Sequence, residues 1–254
     1  MSTMLLLKPT QAAAIAASTG TGAANLGTYD PKEVWASTAA GAAANLDFDF
    51  GANVSIDSLF IGYMTNYSAP TIAWTSGAAA YTTTANLATQ TALAPTASPA
   101  PPRRHGFWRL GAPVAHRYHR LVFTPGAAQT HMIGIVVFGL AFQPTWNREW
   151  GGGRQIFDTS SVQELLGGGF GVEEGAVKAG FGWTFGDLTD PEVEAIFDIG
   201  LDRGIRRPLL VAEDPAATTG LNERLHYGLF DRFERYARAD PQNTRWSLSV
   251  KQWV

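Results

Sequence analysis

Polar and apolar residues alternate from Asn45 to Phe50, so Leu46, Phe48 and Phe50 share one face of a predicted strand and Asp47 and Asp49 the other. Gly51-Ala52-Asn53 predicts a turn, and Ile56–Met64 a second, strongly apolar strand. Thr71–Thr75, Phe107–Leu110, Tyr118–Phe123 and Ile133–Leu140 continue a cadence of short strands separated by small-residue turns. Residues 76–102, rich in Ala, Thr, Ser and Pro, predict a long exposed loop with at most one weak strand. After Phe142 the pattern changes. Asp187-Leu188-Thr189-Asp190-Pro191-Glu192 is a helix start, with Asp190 as the expected cap and Pro191 in the first turn. Val193, Ile196 and Phe197, extended by Leu201, predict the buried stripe of a helix over about 191–202 that Gly204 ends. Strands are expected at 169–172, 180–185, 208–212, 225–229, 233–237 and 245–253, the last with Trp246, Leu248 and Val250 on one face.

Composition sharpens this picture. Charged residues make up 16% of the 254-residue chain, and there are 27 Gly and 14 Pro. That is too few charges for a helical bundle, where average soluble domains carry roughly 25%, and it agrees with strands and turns. An apolar share of 45% excludes full disorder. The absence of cysteine excludes a disulfide framework, a zinc–cysteine site and a thiol nucleophile. Residues 1–142 hold 7 Lys/Arg and 5 Asp/Glu, whereas residues 143–254 hold 12 and 17. This step, with the punctuation from Pro144 to Gly153, predicts a boundary near residue 143 and two domains, 1–142 and 143–254. A net charge of −3 argues against charge-driven nucleic-acid binding. No apolar run reaches the roughly 18 residues of a membrane span. The first residues lack a basic n-region and are broken by Lys8-Pro9, so they are not read as a signal peptide.

The order Pro31–Ser37, Leu46–Phe50, Gly51, Ile56–Leu59, Phe107–Leu110, Tyr118–Phe123 and Ile133–Gly139 resembles the galactose-binding-like (discoidin, F5/8 type C-like) fold over about 115 residues. Gly180–Phe185, Pro191–Leu201, Pro208–Asp214, Tyr227-Gly228 and Ser247–Val254 are similar in pattern and order to bacteriophage tail-tube-like and distal tail (baseplate) proteins. The resemblances imply a mainly β protein: a jelly-roll-like N-terminal β-sandwich and a C-terminal tail-tube/distal-tail-like β-barrel with one flanking helix. They imply a structural component of a siphophage-like tail tip, assembled in the bacterial cytoplasm. Its expected partners are other copies of itself in a hexameric ring, neighbouring tail-tube, hub and tape-measure-type proteins, and a host-surface glycan. Nucleic acid and membrane insertion are not expected. The alternative is a carbohydrate-binding module for attachment to the bacterial surface.

No enzyme, cofactor or metal is expected. Gly151–Gly153 and Gly167–Gly171 lack the Lys-Ser/Thr of a phosphate loop and predict turns or an ordered arm between subunits. The five histidines lack metalloprotease spacing, and His116 and His119 point to opposite faces of a strand. There is no Gly-x-Ser-x-Gly elbow. Asp47 and Asp49 share a strand face where carboxylates serve Ca²⁺ with loop carbonyls, or simply meet solvent. Arg232, Arg235 and Arg238, alternating with Phe233 and Tyr236, read as a charged barrel or ring face. Sugars stack their apolar faces on aromatic rings while Arg, Asn and His serve their hydroxyls. Asn66, Tyr67, Arg103, Arg104 and His105, in predicted loops at one end of the sandwich, are the carbohydrate-binding candidates; Trp74 is read as core or interface.

Overall fold

A computed structural model describes residues 3–38, 41–65, 71–79, 85–91, 104–124, 130–217, 219–238 and 242–253. The chain forms two units, one of Met1–Phe142 with Ala212–Leu225, the other of Gln143–Val211 with His226–Val254. A single cut at residue 143 does not describe that arrangement, because Ala212–Leu225 groups with the first unit.

The first unit contains β1 (Leu5–Leu7), β2 (Ala14–Ala17), β3 (Trp35–Ala36), β4 (Ala44–Met64), β5 (Thr71–Gly77), β6 (Ala85–Thr91), β7 (Arg104–Thr124), β8 (Met132–Ile133), β9 (Ile135–Gly139) and β10 (Ala141–Phe142). The main sheet runs β2-β4-β7-β5-β6, with β9 also paired to β4. Gly51–Asn53 does not turn the chain back, as its composition predicts. Gly51 takes φ +77°, and 45–50 and 56–64 are two halves of one 21-residue strand that pairs antiparallel with the equally long β7. The register shifts between Asp49 and Val54, between Ile56 and Ser58, and between Ile61 and Met64. Such irregularities bend a strand and increase its twist.

That bend builds the core. Phe138 of β9 lies opposite Leu59 in the second half of β4, yet its ring packs 4.9 Å from Phe48 and 5.7 Å from Phe50 in the first half. One strand therefore supplies two facing walls, which is how this sheet closes into a sandwich. Trp74 and His119 complete the aromatic cluster, with ring centroids 5.7 and 5.4 Å from Phe138. Trp74 is core, as one of its two expected readings has it. Trp35 is fully buried and donates its indole N–H to the Thr19 carbonyl at 3.2 Å.

The second unit contains β11 (Gly153–Asp158), β12 (Ser161–Glu164), β13 (Phe170–Glu173), β14 (Val177–Leu188), α1 (Asp190–Arg203), β15 (Leu209–Ala212), β16 (Leu225–Phe233), β17 (Ala237–Arg238) and β18 (Thr244–Gln252). Its sheet follows β15-β16-β18-β14-β11, with β17 also on β18. The path is open among the described residues, which corrects the expected barrel. The alternation of β18 buries Trp246, Leu248 and Val250. This strand lies between β14 and β16 and is no exposed edge.

The helix cap falls one residue earlier than its composition implies. Thr189, not Asp190, caps α1, and the Glu192 carboxylate accepts from the Thr189 N–H and hydroxyl, both at 2.8 Å. This is a capping box. Glu192 also accepts the Thr145 N–H at 2.6 Å. Burial opposes its charge, but the hydrogen bonds from Thr145 and Thr189 outweigh it and hold its carboxyl below the usual range. Val193 and Ile196 are buried as expected. Phe197 and Leu201 are not, at 43% and 67% exposed, and Ile199 and Arg203 take the inner positions instead. Gly200, on the same side as Phe197 and Leu201, leaves room for the Phe233 ring, which a Cβ there would approach to 3.1 Å. Ile196→Ala should therefore cost about 2–5 kcal/mol in urea unfolding, and Phe197→Ala below about 1 kcal/mol. Equal losses would show that both residues are buried.

Candidate functional site

The last register shift of β4 makes a site. Ile61 pairs with Gly106 and Met64 with Arg104, so Gly62 and Tyr63 together oppose His105. This bulge puts Tyr63 at φ +56°, the only positive φ outside glycine among the described residues. Bulky side chains rarely occupy that region, and where they do the surroundings hold them there. Here the Tyr63 N–H donates to His105 Nδ1 at 3.2 Å, and the two rings meet edge to face at 5.0 Å. With Nδ1 accepting, the neutral imidazole carries its proton on Nε2. Phe60 backs the imidazole at 5.6 Å. Gly134 lies beneath the bulge, where a Cβ would come within 2.9 Å of the Tyr63 Cβ and 2.3 Å of the Pro31 carbonyl oxygen.

Asn222 enters from the Ala212–Leu225 segment, and its Oδ1 accepts the His105 N–H at 3.0 Å. Tyr63 and His105 thus meet ring to ring, and the Asn222 amide holds the His105 backbone beside them; Arg104 precedes His105 on β7, where successive side chains point to opposite faces. Of the five carbohydrate-binding candidates, His105 packs against Tyr63, and Arg104 is its neighbour along the strand. They open strand β7 and do not lie in a loop. Asn66, Tyr67 and Arg103 lie outside the described residues. Tyr63 and Asn222 escaped the sequence reading. A Gly-Tyr pair in an apolar run does not announce a bulge, and Asn222 lies over 100 positions from its partner.

The other candidate chemistry resolves into structure. Arg117 Nε and Nη2 donate to the Asp49 oxygens at 2.6 and 2.8 Å, and Arg120 grips Asp47 in the same two-pronged way. The Arg117 hydrogen bond holds the Asp49 carboxyl below the usual range. Each carboxylate is committed to a cross-sheet ion pair, which corrects its reading as a Ca²⁺ ligand or a solvated group. No three His, Cys, Asp or Glu side chains gather into a metal-binding group among the described residues. His119 points into the core, where its Nδ1 accepts the Trp74 indole N–H at 3.1 Å. His116 Nδ1 lies 2.7 Å from Ser76 Oγ. Ser76 has no exposed surface, so this Ser–His pair offers no nucleophile to a substrate. A shallow groove of about 580 Å³ lies beside Asp57 and Arg109. Asp57 there accepts from the Ala141 N–H at 2.8 Å and from Arg109 at 3.4 Å.

No protein-family model and no curated protein matches the chain. Solved structures are similar over about half of it. A chitosan-binding module from a chitosanase/glucanase of Paenibacillus sp. IK-5 is 13% identical with a TM-score of 0.43, covering 53% of this chain and 99% of the module. A family 32 carbohydrate-binding module from a family 31 glycoside hydrolase of Clostridium perfringens is 10% identical with a TM-score of 0.39, covering 52% and 97%. Another module of that organism, solved in complex with GalNAc-β-1,3-galactose, is 8% identical with a TM-score of 0.41, covering 50% and 94%.

Proposed function

We propose that the protein is a non-enzymatic glycan-binding protein whose first unit docks a sugar at the end of the sandwich formed by Tyr63, Arg104, His105 and Asn222. The observation that carries this reading is Tyr63, held at positive φ by a bulge. Its ring stands edge to face with an imidazole, in a strand end that also carries Arg104 and is met by the Asn222 amide, residue types that stack on a pyranose and serve its hydroxyls. Binding of immobilised bacterial-surface and animal glycans by the full chain, followed by calorimetry on the best ligand, tests it. Tyr63→Ala and Arg104→Ala should each weaken binding at least about tenfold, the scale of one lost interaction of roughly 1.4 kcal/mol. Thermal unfolding should confirm that both variants stay folded. Glycan binding unchanged in both variants would refute this site.

A second reading makes the protein a structural component of a siphophage-like tail tip, in a hexameric ring against tail-tube, hub and tape-measure-type neighbours and assembled in the bacterial cytoplasm. One observation favours it: a projecting apolar ribbon in the second unit, described below. Mass spectrometry of purified particles tests it. Absence of the protein from them would remove this reading and leave the glycan reading standing.

A further inference from the structure

Between β11 and β14 the chain leaves the sheet of the second unit as a two-stranded ribbon. β12 pairs with β13 alone, Ser161 opposite Glu173, Val162 opposite Val172 and Glu164 opposite Phe170. The ribbon is tied at its base by Thr159, whose Oγ1 accepts the Ala176 N–H at 2.8 Å. It turns at Leu165–Gly169, where the Leu165 N–H meets the Gly169 carbonyl at 2.8 Å and Gly168 takes φ +81°. Its alternation puts Val162, Val172 and Phe170 on one face. They are 61%, 60% and 69% exposed, and Leu165 and Leu166 at the tip are 53% and 112% exposed. Together they leave on the order of 500 Å² of apolar surface bare, the size of patch that marks an interaction site. A lone two-stranded ribbon is marginal in water, so this one calls for a cover over its apolar face.

The same unit carries an unfilled counterpart. Phe197 and Leu201 of α1, with Phe233, Tyr236 and Trp246, line a groove of about 440 Å³. Phe233 and Tyr236 are 41% and 42% exposed. Ribbon and groove are both bare, so they do not meet within one copy. Their charges are opposite. Residues 155–177 hold Asp158, Glu164, Glu173 and Glu174 and no Lys or Arg. Residues 203–207 and 232–238, which flank the groove, hold six arginines, of which Arg203 and Arg207 pair with Asp202 and Arg238 with Asp190. Arg206 and Arg235 among them are exposed.

We infer that the ribbon of one copy seats its apolar face in the Phe197–Leu201–Tyr236 groove of a second copy, with Glu164, which shares that face opposite Phe170, toward Arg235. Each copy gives a ribbon and receives one, a head-to-tail contact that closes into a ring or runs on as a fibre. This assigns surfaces to the assembly that the tail-tip reading requires. It stands without a virion, because self-association of the purified chain is its measure and presence in particles is not.

The test is sedimentation velocity of the full chain from about 1 to 100 μM, a range that spans ordinary self-association constants. The wild type should form species larger than dimers. Phe170→Glu in the ribbon and Leu201→Glu in the groove alter exposed side chains. Each should abolish those species while circular dichroism stays unchanged. Mixed, the two variants should recover a complex, but only a 1:1 dimer, since one intact groove and one intact ribbon remain between them. Arg235→Glu should weaken association about tenfold, and Glu164→Arg should restore it. A wild-type monomer at 100 μM overturns the inference. So does an oligomer indifferent to both variants, or a Leu201→Glu protein that still self-associates through its ribbon.

Discussion

Phe138→Ala is expected to remove about 3–5 kcal/mol of stability, the range for a large aromatic side chain deleted from a packed core. Phe138 is 2% exposed, and its ring touches both walls of the bent β4 as well as Trp74 and His119. The cavity would open where the two halves of one strand face each other, and neither half can collapse without dragging its paired neighbours. Leu140→Ala, two residues on and 50% exposed, should stay within about 0.5 kcal/mol. Urea unfolding of both variants makes the comparison. Similar losses would mean that Phe138 does not join the two walls.

Mild acid should loosen the first unit. Burial, against a hydrogen bond with the His116 backbone, pushes the His119 imidazole from 6.5 down to about 4. Burial likewise lowers His131. A histidine whose folded pKa lies below its unfolded value binds fewer protons when folded, so stability falls as pH drops. The His119 contribution is complete above about pH 6.5 and is withdrawn as pH falls toward 4, reaching about 3 kcal/mol for a shift of that size. Urea midpoints at pH 7, 5.5 and 4 should show the decline. His119→Gln keeps an acceptor for the Trp74 indole and should flatten it, whatever its cost at pH 7. A pH slope unchanged in that variant would place the acid sensitivity elsewhere.

Local pattern carried much of this fold, and bends and distant contacts carried the rest. Leu46, Phe48 and Phe50 face the core because period-two alternation survives any tertiary context that buries one side of a sheet. Trp246, Leu248 and Val250 do so for the same reason. Gly51–Asn53 was misleading because a bulge and a turn use the same residues. Only the partner strand decides between them, and β7 pairs with both sides. Phe197 was misleading because several apolar residues compete for the inner face of α1, and Ile199 takes it beside Val193 and Ile196. At the candidate site, Arg104 and His105 were legible as polar residues ending a Pro-rich stretch. Tyr63 was hidden inside an apolar run, and Asn222 belonged by sequence to the other half of the chain.

The grouping of Ala212–Leu225 with Met1–Phe142 has a consequence for biosynthesis. As the chain leaves the ribosome, the sandwich emerges first but remains incomplete for roughly eighty further residues, several seconds at elongation rates of about 5–20 residues per second. Over that interval the His105 N–H lacks the Asn222 oxygen that accepts it in the finished protein. The sandwich end that carries Tyr63 is therefore finished late in translation, after the acidic ribbon has been made, and a ribosome stalled before codon 222 would display a nascent sandwich without its amide.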